Sequence, residues 1–293
     1  MKSTWFQRWA VCLAFLLFGV AAVLQVTLWE PHNLKVEHAR IELPQWPAET
    51  KPLRVVLLAD LHPFPWDGAW MDRVVNESVA QRPDLILLLG DYRNAVRHEN
   101  TMPPQELAAH LAPLANAAPV FFVTGNHEWG KWQTEMIQCM EAKGFFNIER
   151  RTVRFSFPDG RELDMRGEPY FGSRIRRHFA PQKVQDPADP PLLAVVHDPL
   201  DFLRYETQVD AVVAGHTHGG QLCLPNGFPL GTPGYGWTPE MLRAGLKTTK
   251  SGAPLYISRG IGMSVLPFRL NCAPEISVIE LAGKGQGGGA AAR

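Results

Sequence analysis

Apolar residues recur along this chain in three spacings. The first is one unbroken run, AVCLAFLLFGVAAVLQVTL (Ala10–Leu28), 19 residues without a charge and with Gln25 as the only strongly polar side chain. A bilayer span needs about 20 such residues, and Trp5, Trp9 and Trp29 flank the run as interfacial anchors do. It is longer than a secretory apolar region and has no clean small-x-small cleavage site before Trp29. It therefore predicts an uncleaved, single-pass signal anchor over residues 1–29, with a cleaved signal peptide as the alternative. The second spacing is a set of short apolar runs that read as buried strands: RVVLLADLH (Arg54–His62), DLILLLGDYRN (Asp84–Asn94), VFFVTGNHEWG (Val120–Gly130), LLAVVHDP (Leu192–Pro199) and VDAVVAGHTHGG (Val209–Gly220). The third is amphipathic. Ala69–Gln81, Pro104–Ala117 and Trp132–Gly144 carry helical periodicity between the strands.

FNIERRTVRFSFPDGRELDMRG reads as a hairpin turning at Asp159-Gly160. A strand is expected over Leu34–Leu43 inside a linker, 30–52, that carries prolines at 44, 47 and 52. Strands alternating with helices and followed by hairpins predict an α/β domain over 53–282, with two sheets and helices outside them. The tail GKGQGGGAAAR, 283–293, has the composition of a disordered segment. No internal repeat is visible.

All five strand-like runs stop at the same kind of residue. They end in Asp60-Leu61-His62, Gly90-Asp91, Gly125-Asn126-His127-Glu128, His197, and Gly215-His216-Thr217-His218. One such ending is an ordinary solvated turn, since Gly and Asn accept unusual backbone angles. Five in one chain place the same side chains at the carboxyl ends of strands, where open α/β sheets bind ligands. Asp, Asn and His offer oxygen and imidazole nitrogen, a donor set that suits Mn, Fe or Zn. Asp60 and His62, and likewise His216 and His218, are two residues apart and share a side if the strand continues locally. Two divalent ions held together clamp a phosphoryl group and generate a hydroxide nucleophile. Asp91, with two oxygens, is able to bridge them.

The series D-x-H, G-D, G-N-H-E, H, G-H-x-H, from Asp60 to His218, resembles the calcineurin-like metallophosphoesterase superfamily. GHTHGGQ (Gly215–Gln221), LYISRGIG (Leu255–Gly262) and PFRLNCAPEISVIEL (Pro267–Leu281) resemble its membrane-anchored or exported bacterial branch, so the likeness covers roughly 50–282. The resemblance implies a four-layer α/β/β/α sandwich. It implies that Asp60, His62 and His218 hold one metal, that Asn126, His197 and His216 hold the other, and that Asp91 bridges. It makes His127 a catalytic and substrate-binding residue that contacts phosphate and protonates the leaving oxygen. Glu128 either orients His127 and its neighbours or is solvated. Phosphoprotein phosphatases of the superfamily continue the second motif to a further Asp. Asn94 stands there in this chain, and an amide steadies an imidazolium less than a carboxylate does. Arg93, beside the site, is a candidate phosphate-binding residue, with a plain surface arginine as the alternative.

Composition narrows the partners. Lys+Arg and Asp+Glu are both 29, a formal net charge of zero, so nothing draws the whole chain to nucleic acid. SRIRRHF, Ser173–Phe179, is a local basic cluster at a site rim or in a solvated loop. His32, His38, His98, His110 and His178 fall outside the motifs; His98, in the loop after Asp91, is the one nearest a substrate role. Cys12 lies in the apolar run, which leaves Cys139, Cys223 and Cys272, an odd number without CxxC spacing. Lys2 and Arg8 precede the run, which favours a cytoplasmic N-terminus and a periplasmic or otherwise extracytoplasmic catalytic domain on a bacterial inner membrane. Aromatic residues in two loops, Phe64, Trp66, Trp70 and Phe228, Tyr235, Trp237, either cap the core or hold a lipid or nucleobase.

The expected activity is hydrolysis of a phosphodiester, phosphomonoester or diphosphate by a metal-activated hydroxide. Substrates are phosphorylated small molecules or lipids. The alternative is a UDP-2,3-diacylglucosamine-type lipid diphosphatase, which the expected orientation disfavours. A non-catalytic scaffold on the same fold would have lost ligands, and all seven positions and His127 are present.

Overall fold

The computed structural model describes residues 2–46, 49–94, 99–168, 170, 189–204, 209–231 and 237–283. His98, His178, the Ser173–Phe179 cluster, Tyr235 and the tail from residue 284 lie outside the described residues.

The elements follow the hydrophobic pattern closely. α1 (Lys2–Leu24) continues through a π turn, Gln25–Trp29, and a 3-10 turn, Glu30–His32. β1 (Lys35–Leu43) and β2 (Leu53–Leu58) come next, then α2 (Gly68–Ala80), β3 (Leu85–Leu88), α3 (Pro104–Leu111), α4 (Leu114–Ala117), β4 (Val120–Phe122), α5 (Gly130–Glu141) and β5 (Phe146–Asn147). The second half holds β6 (Arg151–Ser156), β7 (Glu162–Glu168), β8 (Leu192–Val196), α6 (Pro199–Arg204), β9 (Ala211–Ala214), α7 (Pro239–Leu242), β10 (Gly245–Thr248), β11 (Pro254–Ile257) and β12 (Glu275–Gly283). The single helix expected over Pro104–Ala117 is two, because Pro113 lacks an N–H and its ring blocks the preceding turn. α5 stops at Glu141, and Gly144, at φ 82°, closes it with the Phe145 N–H bonded to the Met140 carbonyl.

Two six-stranded sheets form, in the orders β1-β12-β2-β3-β4-β5 and β10-β11-β9-β8-β7-β6. β6 and β7 pair antiparallel across the expected turn, where the Phe157 N–H reaches the Arg161 carbonyl at 2.8 Å. Side chains alternate faces along a strand. Val55 and Leu57 of β2 therefore join Leu87, Phe121, Leu193, Val195 and Val213 in a core between the sheets. Val56 and Leu58 point the other way, onto Met71 and Val74 of α2, Leu107 of α3 and Met136 of α5. On the outer face of the second sheet, Ala194, Val212 and Ile257 pack with Phe202 of α6. Helix, sheet, sheet and helix make the four-layer α/β/β/α sandwich. The strand expected in the linker is a full member of the first sheet, since β1 runs parallel to β12 from Lys35–Glu275 to Leu43–Gly283.

β2, β3 and β4 are parallel to one another, and so are β8 and β9. Their carboxyl ends therefore open on one side of each sheet.

Among the described residues one helical stretch, Gln7–His32, is long and apolar enough to cross a membrane, and its window is unburied by the rest of the chain. Phe15 and Phe18 are 72% and 74% exposed.

Candidate metal centre and active site

Leaving β2, the chain does not stay extended. Asp60, His62, Asp91, His216 and His218 all take positive φ, between 42° and 68°, a region that L residues occupy at a cost of about 1–3 kcal/mol each. Asp60 and His62 thus converge through two left-handed residues and not through strand alternation, and the same holds for His216 and His218. This corrects the strand-continuation account of both pairs. Such a cluster of non-glycine left-handed residues marks a site whose geometry the surrounding fold imposes.

The structure brings all seven candidate ligands together. One atom each from Asp60, His62, Asp91 and His218 lie within 4.8 Å of one another, and so do atoms of Asp91, His197 and His216. Asp91 belongs to both groups. Asn126 Oδ1 stands 2.9 Å from His197 Nε2, beside the second group. Gly125 allows the approach: a Cβ there would fall 2.1 Å from Asp91 Oδ1 and 2.7 Å from His197 Cε1.

The hydrogen bonds behind the cluster fix what faces into it. His62 Nδ1 donates to the Arg93 carbonyl at 2.5 Å and His197 Nδ1 to the Leu89 carbonyl at 2.8 Å. Both imidazoles therefore turn an Nε2 lone pair inward. His197 Nε2 meets Asn126 Oδ1, His216 Nδ1 at 3.1 Å and Asp91 Oδ2 at 3.4 Å. His62 Nε2 and His218 Nδ1 are buried without a hydrogen-bond partner. Acceptors facing acceptors in a buried space call for a cation, so the donor set fits a divalent metal centre. Burial pushes the His197 imidazole down, but the Asp91 and Asp60 carboxylates outweigh it and lift it to about 10. Burial and the neighbouring imidazolium charges hold His216 and His218 below the usual histidine range.

Glu128 is the residue whose role the sequence left open. It is buried, and its carboxylate accepts four backbone N–H groups: Asp91 at 2.8 Å, Tyr92 at 2.8 Å, Arg93 at 3.0 Å and Gly125 at 2.7 Å. It therefore ties the loop after β3 to the loop after β4. Burial and the Asp91 charge push its carboxyl up to about 7, against the N–H donors, which favour the ion.

His127 sits at the edge. Its side chain is 17% exposed, its N–H donates to Asp91 Oδ1 at 3.0 Å, and its Nε2 is 4.0 Å from Asp91 Oδ2. Asn94 donates its side-chain amide to the His62 carbonyl at 2.9 Å, which an ionised aspartate cannot do. The Arg93 guanidinium lies over the indoles of Trp129 (5.1 Å) and Trp132 (5.9 Å). Two residues near the cluster had no signal in the sequence. Asp198 Oδ2 is 3.8 Å from His216 Nε2, and the Tyr170 ring is 5.8 Å from that of His216.

Two thiols lie beneath the His218 turn. Cys272 Sγ is 3.2 Å from the His218 carbonyl, and Cys223 Sγ is 3.3 Å from the Gly219 carbonyl.

Residues 53–220 match the family model for calcineurin-like phosphoesterases. The chain belongs to that family and is a metal-dependent phosphoric ester hydrolase. It is 28% identical over 270 residues to the uncharacterized metallophosphoesterase YkuE of Bacillus subtilis, covering 86% of this chain and 87% of the relative. It is 30% identical over 239 residues to the phosphodiesterase YaeI of Escherichia coli, covering 78% and 82%. It is also 24% identical over 267 residues to a zebrafish (Danio rerio) transmembrane protein with metallophosphoesterase domain, covering 84% of this chain and 57% of that protein.

Proposed function

We propose that this protein is a membrane-anchored phosphodiesterase with two divalent ions, Mn, Fe or Zn. Asp60, His62 and His218 hold one, Asn126, His197 and His216 the other, and Asp91 is shared. The observation that carries the reading is the pair of acceptor groups meeting at Asp91. Bound there, the ions supply Lewis acidity toward phosphoryl oxygens and lower the pKa of water. The remaining work falls to the chain. Glu128 sets the Asp91 main chain, and the Leu89 and Arg93 carbonyls set the imidazole tautomers. His127 Nε2, the ring nitrogen near the cluster, delivers a proton to the departing oxygen as the new P–O bond to water forms and the old P–O bond breaks. The name of the Escherichia coli relative supports a diester over a monoester.

The test is hydrolysis of bis(4-nitrophenyl) phosphate and 4-nitrophenyl phosphate after metal removal and after Mn²⁺ addition, with metal content measured alongside. Activity should vanish on chelation, return with Mn²⁺ and favour the diester. Full activity in protein shown to be metal-free would overturn the reading. The positive charges ahead of the apolar helix support a cytoplasmic N-terminus and an extracytoplasmic catalytic domain. An alkaline-phosphatase reporter fused after Leu281 should then be active in a bacterial host, and an inactive one would reverse the orientation.

A further inference from the structure

We propose that a groove beside the His216 and His218 edge of the cluster holds the hydrocarbon part of an amphiphilic phosphoester drawn from the membrane that contains the N-terminal helix. This deepens the proposed phosphodiesterase reading and rests on it.

The groove measures about 410 Å³, and His216, Thr217 and His218 form its end nearest the cluster. A group lying in it is therefore joined directly to a phosphoryl group at the cluster. Its walls are Leu222, Leu230, Trp237 and Leu242, and Val265 and Leu266 complete them. Two of the polar side chains on the lining, Gln221 and Thr217, are already engaged. Gln221 donates to the Leu266 and Phe268 carbonyls at 2.9 and 3.1 Å and accepts from the Ser264 N–H at 2.8 Å. Thr217 Oγ1 accepts from the Gly219 N–H at 3.1 Å. Engaged polar atoms with apolar walls favour a hydrocarbon chain over a hydroxyl-rich or base-like substituent.

The source of the chain follows from where the groove lies. The strip Ser264–Phe268 that Gln221 clamps runs straight into Arg269, whose N–H bonds the Val26 carbonyl at the end of the apolar helix at 3.0 Å. Three residues on, the Cys272 N–H bonds Glu30 Oε1 at 3.0 Å. A helix that crosses a bilayer and ends at Val26–Glu30 brings this wall to the interface. Val265, Leu266 and Leu230 are 77%, 40% and 55% exposed, and at the end of the apolar helix Leu28 is 60% and Trp29 65% exposed. Apolar side chains shown together at an interface are covered by acyl chains and headgroups.

The experiment compares 4-nitrophenyl methyl phosphate with 4-nitrophenyl octyl phosphate, which share charge and leaving group, on the full-length Mn²⁺-loaded protein in nanodiscs. Burial of each methylene is worth up to about fourfold, so kcat/KM for the octyl ester should exceed that for the methyl ester by well over tenfold. Leu230→Asp, at an exposed wall position, should cut that preference at least tenfold. An equal octyl-to-methyl ratio in wild type and variant overturns the proposal, because partition into the disc would then explain any preference. A second measurement is quenching of Trp237 fluorescence by a bromo-octyl phosphonate, read as the component lost in Trp237→Phe. If neither ester is hydrolysed, the phosphodiesterase reading fails. The quenching then decides the groove alone: present, it upholds a hydrocarbon site, and absent, it removes it.

Discussion

Glu128 and His127 are neighbours in the chain and differ in what they touch. Glu128 holds four main-chain N–H groups around Asp91 and exposes nothing to a substrate. Glu128→Gln puts an amide NH₂ against buried donors, each of which costs about 1–3 kcal/mol when unpaired. The variant should lose bound metal and melt earlier, by elemental analysis and thermal denaturation. Normal metal content in it would show that Asp91 needs no such support. His127 stands outside both ligand groups, so His127→Ala should keep its metal while kcat drops by ~10²–10⁴. The drop should be smallest for nitrophenolate esters, which depart without a proton. Metal lost in step with activity would make His127 a ligand.

At the scale of elements, the pattern that can be read without coordinates is the one set by local chemistry. Apolar runs that stop at Asp, Asn or His announced the five loops that meet at the cluster, and Asp159-Gly160 announced its hairpin. Pro113 carried a visible sign of the break between α3 and α4. Longer-range matters were illegible. Positive φ at Asp60, His62, Asp91, His216 and His218 goes against the intrinsic preference of those residues, so only tertiary constraint produces it. Glu128 bonds Asp91 across 37 positions, which no local spacing encodes. β1 pairs in parallel with β12 near the other end of the chain, and Ile41 and Leu43 of β1 are each 1% exposed. A protein beginning at Asn33 should therefore keep the fold. One beginning at Pro44 loses two core side chains worth ~1.5–3 kcal/mol each and uncovers an edge strand prone to pairing between molecules. Urea midpoints and light scattering separate the two, and equal midpoints would make β1 dispensable.

In the molecule as a whole, the apolar helix is no loose tether. Its last turns meet the segment around Arg269, a fully buried guanidinium that donates to the Gly262, Arg259 and Cys272 carbonyls at 3.1, 2.9 and 2.9 Å. The Gly262 N–H in turn bonds the Asp60 carbonyl at 2.6 Å. Helix, wall and cluster are thus one continuous body. The thiols packed under the His218 turn give this body a built-in chemical gauge. Cys223 and Cys272 are buried while Cys12 is exposed, so a small alkylating reagent reaches the inner pair only when the turn lifts away. Their labelling rate should be slow in the metal-loaded protein and rise on chelation, while Cys12→Ser and Cys139→Ser, at the exposed and the partly buried thiol, remove the background. Mass spectrometry of the modified thiols then reads the closure of the metal loops directly, with no substrate present. An unchanged rate on chelation would mean that the turn stays shut whether or not its histidine holds an ion.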